Sequence, residues 1–404
     1  MESSVTGKEL IDSYLKKLTL EIDERSVGSS GNNQAVDYFY IIMKSLGYDL
    51  KKDGFDCIDW ECGKVYLRTG EEQYEAFASP FSLPCDINAE LVVVSTLEEL
   101  RTVDAHEKIL LIHKELTQEQ IMPKNFIFYN PEEHKQMISL LEEKNPKAII
   151  CVTGCVKSVS VCLHPFPIFE DGDFDIPSVY MKDIDGEKLI KLNGLKVELT
   201  IESKRNPAKG YNVVARKKGE GKGRVVLCAH IDTKKNTPGA LDNATGVAVL
   251  MALAEQLRDY KASNDIEFVA FNGEDYYSVP GQMLYLKQNN GDFQDIKMVI
   301  NIDGAGHKDS KTAVSFYNLR DDQKKEAMIS LDKYKTLVKG EKWYEGDHSM
   351  FLQKGVPCIA VTSSNVRDVV MNITHTPKDT MNNVNIELLC DLVKALKDII
   401  SNIF

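Results

Sequence analysis

With 404 residues and 43% hydrophobic side chains, the chain has the length of two or three domains, or one large domain with an insertion, and a globular composition. A formal charge of −12, with no basic stripe interleaved with aromatics, excludes a general nucleic-acid binder, because phosphates are neutralised by clustered Lys and Arg. No run is long and apolar enough to cross a bilayer, and nine cysteines without a C-x-x-C pair argue for a reduced, cytoplasmic protein and against a thiolate metal site.

In chain order, Met1-Glu2-Ser3-Ser4-Val5 lacks the basic segment and apolar core of a signal peptide. Residues 8–46 then carry two helical patterns. Leu10, Ile11, Tyr14, Leu15 and Leu18 share a face of the first; Ala35, Phe39, Ile42, Met43 and Leu46 share one of the second. Gly28-Ser29-Ser30-Gly31-Asn32 between them reads as a loop, and Gly47 ends the second helix. From 61 to 205 short β-prone runs take over, at 109–112, 126–129, 148–152, 178–181 and 197–201. One helix near 132–144 interrupts them, with acidic residues at its start and Lys144 at its end to match the helix dipole. This stretch is expected to be a small, mostly β domain inserted between 1–60 and 206–404, with 204–210 as its exit linker. Beyond 211, strands at 212–216, 225–229, 266–271, 298–302 and 356–361 alternate with helices at 244–258, 321–337 and 386–400. The alternation predicts an α/β fold with a mixed, largely parallel sheet flanked by helices.

Metal-binding side chains follow those strands. His230-Ile231-Asp232 comes directly after 225–229, Glu274-Asp275 lies just past 266–271, and Asp303 follows 298–302. Asp242 sits in Pro238-Gly239-Ala240-Leu241-Asp242-Asn243, and His375 opens His375-Thr376-Pro377-Lys378-Asp379-Thr380. Sites in open α/β sheets form at the carboxyl ends of strands, so three of these clusters land on one edge of one sheet. Two imidazoles and three carboxylates could hold a pair of zinc ions, and a spare carboxylate could serve as base for their water. Such a set points to hydrolysis rather than binding alone. Singly, each piece has a plainer reading: a hydrogen-bonded histidine, a solvated acidic loop, or an Asp that caps a helix or turn. His106, His113, His134, His164 and His307 are read as structural. Convergence carries the weight.

Taken together, these motifs resemble the M28-type aminopeptidases, which hold two co-catalytic zinc ions. The resemblance runs through Asn212-Val213-Val214-Ala215, the His230, Asp242, Glu274, Asp303 and His375 segments, and Gly346-Asp347-His348-Ser349 with Gly355-Val356-Pro357. Arg25 and the Gly28–Asn32 loop look like that family's opening, and 61–205 is similar to the protease-associated domain inserted in some members. The resemblance implies that Asp242 bridges two ions, one also held by His230 and Asp303, the other by Asp275 and His375. Asp232 would orient His230, Glu274 would be the general base, and Asp347 would stand behind the ligands. Cobalt or manganese could replace zinc. Two departures stand out: Asp275 occupies a position where members commonly have Glu, and Thr374 one where several have Tyr. Stabilising the oxyanion would then fall to the metals, or to a donor such as Tyr344 or His348.

The implied activity is that of a metal-dependent exopeptidase, foremost an aminopeptidase acting on short peptides. A carboxypeptidase, a glutaminyl-cyclase-like transferase with one zinc, and a relative that has lost its metals are the alternatives. The inserted domain is expected to act as a lid that limits access to short peptides. Side-chain preference and oligomeric state are not legible.

Overall fold

The computed structural model describes residues 7–22, 24–154, 164–261 and 263–404, so the opening Met1–Val5 lies outside it. The chain divides into two compact units, Met1–Cys57 with Ala208–Phe404, and Ile58–Pro207. Two long strands, Asp49–Thr69 and Lys196–Lys217, carry the chain across the boundary.

In the first unit the sheet runs in the order Leu337–Lys339, Thr312–Tyr317, Cys358–Ser363, Ile296–Ile302, Arg224–His230, Asp265–Phe271, then the end of Lys196–Lys217. The strands from Cys358–Ser363 to Asp265–Phe271 are parallel, and an antiparallel neighbour flanks them on each side. Every residue of Arg224–His230 is buried, as expected of a central parallel strand covered on both faces. Helix Thr245–Gln256 is buried from Thr245 through Ala254, so it is apolar all round and forms the middle of the core. Gly7–Lys16, Ser30–Ser45 and Ile386–Ile403 pack against it. Ile386–Ile403 begins where the Asn385 side chain accepts the Glu387 N–H at 3.0 Å. A separate aromatic group of Phe271, Tyr285, Phe293 and Phe351 holds helix Pro280–Gln288.

The second unit has a parallel run of Cys85–Val94, Ile109–Ile112, Ala148–Thr153 and Ser178–Lys182. Phe77–Ala78 and the start of Lys196–Lys217 pair antiparallel at its two edges. Helices Leu97–Thr102, Glu132–Lys144 and Asp183–Ile190 accompany it.

Several expectations need correction. The second unit has these three helices rather than one: Leu97–Thr102 is nucleated by Thr96, whose side chain caps Glu99 N–H, a signal in a segment too short to show periodicity. The run 126–129 is a loop, because Phe126 N–H closes a turn onto Pro123 O and Asn130 Nδ2 donates to the same carbonyl at 3.0 Å. The expected linker 204–210 lies inside the strand Lys196–Lys217, whose partners override its Pro and Gly. Helix Asp321–Leu331 stops short of 337, because Leu337–Lys339 pairs with Thr312–Val314 instead.

Candidate metal centre

The five expected ligands meet at the carboxyl ends of three adjacent parallel strands. Arg224–His230 ends in His230, Asp265–Phe271 leads into Glu274-Asp275, and Ile296–Ile302 leads into Asp303. Asp242 lies in the turn before helix Thr245–Gln256, and His375 follows helix Val366–Asn372 with φ at 57°. His230 Nε2 lies 3.0 Å from Asp242 Oδ1 and 3.4 Å from Asp303 Oδ1. His375 Nε2 lies 3.0 Å from both Asp242 Oδ2 and Asp275 Oδ1. Asp242 therefore turns one oxygen towards each of two triads, and in each triad the ligand atoms lie within 4.8 Å of one another. Tetrahedral zinc with bonds of about 2.0–2.2 Å spaces its ligand atoms at roughly 3.4 Å, close to these separations.

Electrostatics fit the same reading. Burial opposes a charged His230, but Asp303 and Asp242 outweigh it and hold the imidazole well above its ordinary pKa. His375 is held up likewise by Asp275 and Asp242 against burial. Burial would raise Asp242, yet the two imidazoles drive it far below the usual carboxylate range. Glu274 is pushed well above its ordinary value by burial and by Asp303 and Asp275, against the pull of His230. His230 Nε2 and Asp275 Oδ2 are buried without a hydrogen-bond partner of good geometry. An imidazole nitrogen left so within a His–carboxylate set is what a divalent cation would satisfy.

The surroundings of the ligands were less legible. Asp232 is fully buried, but its carboxylate sits 3.8 Å from His230 Nδ1, and the nearer contact is its own main-chain oxygen at 3.2 Å. That carboxylate also accepts three successive N–H groups, from Gly273 at 2.7 Å, Glu274 at 3.3 Å and Asp275 at 3.0 Å. Asp232 thus fixes the loop carrying Glu274 and Asp275. Asp379, not singled out in sequence, takes Leu241 N–H at 2.8 Å and Asp242 N–H at 3.0 Å on its two oxygens. Its only signal was membership of the His375–Thr380 motif. Asn243 donates to Ile302 O at 2.8 Å, tying the Asp242 turn to the strand before Asp303.

Asp347 is buried and accepts Gln282 Nε2 at 2.7 Å, and burial pushes its pKa up to about 7. His348 is a poor oxyanion donor, because its Nε2 is engaged with Trp343 O at 3.1 Å and its Nδ1 faces Asn301 Nδ2 at 3.4 Å. Tyr344 is 62% exposed, its ring edge-on to Tyr317. Among the described residues the histidines read as structural enter no metal cluster; His134, for instance, accepts Met122 N–H at 3.1 Å.

Residues 212–400 match the profile of peptidase family M28. The probable leucine aminopeptidase 2 of Aspergillus oryzae is 24% identical over 341 residues, which cover 82% of this chain and 59% of that protein. The chain thus spans less than two thirds of the length of the curated relatives it matches. An aminopeptidase from Aneurinibacillus sp. strain AM-1 superposes with a TM-score of 0.77 at 20% identity, over 98% of this chain and 93% of that one. A zinc aminopeptidase from Bacillus subtilis gives a TM-score of 0.75 at 20% identity, over 100% and 96%. The fold is therefore that of these aminopeptidases, a mixed, largely parallel sheet between helices. Residues 212–400, the stretch that resembles peptidase family M28, contain all five expected ligands.

Proposed function

We propose that the protein is a zinc-dependent aminopeptidase that removes N-terminal residues from short peptides. The observation that carries the reading is the pair of His–carboxylate triads sharing Asp242, with Glu274 on the same loop as Asp275. His230, Asp242 and Asp303 would hold one zinc ion, and Asp242, Asp275 and His375 the other; cobalt or manganese would fit the same donors. When bound, such a pair polarises a scissile carbonyl and lowers the pKa of water towards neutrality. Glu274 would take the proton from that water and return it to the leaving amine. Asp232 and Asp379 would hold the loops of Glu274 and Asp242 in place.

A one-zinc transferase would need only one triad, so the second speaks for two ions. The names of the related proteins favour the amino end over the carboxy end of a peptide. A relative without catalysis would have no need to keep both triads and the base. We read Ile58–Pro207 as a protease-associated-like domain and the protein as one of a reducing, cytoplasmic compartment.

The test is a hydrolysis screen over peptides with free amines, blocked amines and blocked carboxyls, with metal content measured before and after chelation. Cleavage confined to free-amine peptides, abolished by chelator and restored by zinc, is expected. Cleavage that tolerates a blocked amine and needs a free carboxyl would reassign the protein to the carboxypeptidases.

A further inference from the structure

Outside the matched stretch 212–400, a short N-terminal segment is built into the metal centre. Arg25 is wholly buried and donates through Nε to Ile231 O at 2.9 Å, through Nη1 to Leu18 O at 2.8 Å and Pro238 O at 2.7 Å, and through Nη2 to Gly239 O at 2.8 Å. Its backbone pairs with Thr233 in both directions: Arg25 N–H reaches Thr233 Oγ1 at 3.1 Å, and Thr233 N–H reaches Arg25 O at 3.3 Å. One guanidinium therefore grips both ends of the loop between the ligands His230 and Asp242. Seven residues on, buried Asn32 donates to Arg25 O at 2.9 Å and forms a reciprocal amide pair with Asn272, 2.9 Å in each direction. Asn272 immediately precedes Gly273-Glu274-Asp275, whose N–H groups Asp232 collects. A Cβ at Gly31 would come within 2.0 Å of Glu24 O, so the segment folds back on itself at a distance only glycine permits.

We propose that Arg25 and Asn32 are positioning residues: Arg25 sets the spacing between the His230 and Asp242 ligand segments, and Asn32 holds the Glu274-Asp275 loop in register with them through Asn272. The inference rests on the metal-site reading above. Four carbonyl acceptors at fixed angles match the planar guanidinium and cannot all be met by the three donors of an ammonium. Geometry and charge predict opposite outcomes. As a bare cation among Asp379, Asp232, Asp242 and Asp275, Arg25 repels an incoming dication, so its removal would tighten metal binding. As a clamp, its removal loosens the ligand pair and weakens binding.

The experiment uses the full chain with Arg25→Lys, Arg25→Met and Asn32→Ala. Zinc affinity comes from chelator competition and ligand geometry from the d–d absorption of the cobalt-loaded protein, read beside kcat and KM. Both Arg25 variants are expected to bind zinc about 10–100-fold more weakly and to alter the cobalt spectrum, the range typical of groups that orient metal ligands. Asn32→Ala should lower kcat by about tenfold or more with KM little changed, because it misplaces the base without touching substrate. Unchanged or tighter zinc binding in Arg25→Met with an unchanged cobalt spectrum would overturn the clamp. If the Arg25 variants fail to fold by circular dichroism, the amide pair decides. Asn32→Ala with Asn272→Ala should then cost no more than the worse single change, and additive losses would refute the register role. Zinc affinity and cobalt absorption need no substrate, so a protein that binds metal normally but cleaves no peptide would sink the aminopeptidase reading while leaving this test intact.

Discussion

Glu274 and Asp275 are chain neighbours whose N–H groups share one anchor, Asp232, and the proposed function gives their side chains different work. Asp275 Oδ1 lies 3.0 Å from His375 Nε2 within a ligand triad, whereas Glu274 is not among the ligand atoms of either triad. Glu274→Gln keeps size and polarity but removes the proton acceptor, so kcat should fall by about 10²-fold or more with metal content unchanged. Asp275→Asn should instead cost one ion per chain, measured by atomic absorption. Loss of metal in the first variant and retention in the second would mean the two roles are exchanged. Their candidacy was legible because residue type and strand-end location are both local properties, while the split into base and ligand is implied by the family resemblance. What else Asp232 bonds to was not: it stays beside His230 Nδ1, and its carboxylate also accepts three amides from a loop some forty residues away.

At the scale of elements, each ligand rides on a strand or helix end whose placement depends on burial. Helix Thr245–Gln256 holds the Asp242 turn against the sheet, and Leu250 within it is fully buried. Leu250→Ala should destabilise the protein by about 2–5 kcal/mol, from lost transfer energy and the cavity left behind, checked by denaturant unfolding. Helix Ile386–Ile403 packs on the same core and depends on the Asn385 cap. Asn385→Ala should cost about 1 kcal/mol, and a change within error would mean that neighbouring contacts already fix that helix start. Strongly apolar strands such as Arg224–His230 and the amphipathic Ile386–Ile403 were readable from periodicity. Strand Thr312–Tyr317 and the short helix Pro280–Gln288 were not, since the first is recognised by its pairing with Cys358–Ser363 and the second by aromatic packing.

At the scale of the molecule, any ligand that binds only the folded state stabilises it in proportion to its affinity. Zinc at a hundred times its dissociation constant should add about 2.7 kcal/mol per independent site, a rise in Tm of several degrees for a unit of this size. Calorimetry of the zinc-loaded and chelated protein should record that difference. Equal Tm values in the two states would argue against metal bound within the folded core. Among the described residues no helix is long and apolar enough to cross a membrane.

The sequence by itself determined which residue types stand at strand ends and, from their order, the α/β sheet, because hydrophobic periodicity and residue type act over a few residues. The expected ligand set His230, Asp242, Asp275, Asp303 and His375, with Glu274 set apart as base, is what the family resemblance implies. Only the tertiary structure decided that strands far apart in the chain lie side by side in the order Cys358–Ser363, Ile296–Ile302, Arg224–His230, Asp265–Phe271. Only it decided that Asp379 would grip the Asp242 turn, and Arg25 and Asn32 the two ligand loops. Those contacts join segments separated by well over a hundred residues. Each satisfies a polar group that burial would otherwise leave unpaired, and which groups become buried together is known only once the chain has folded.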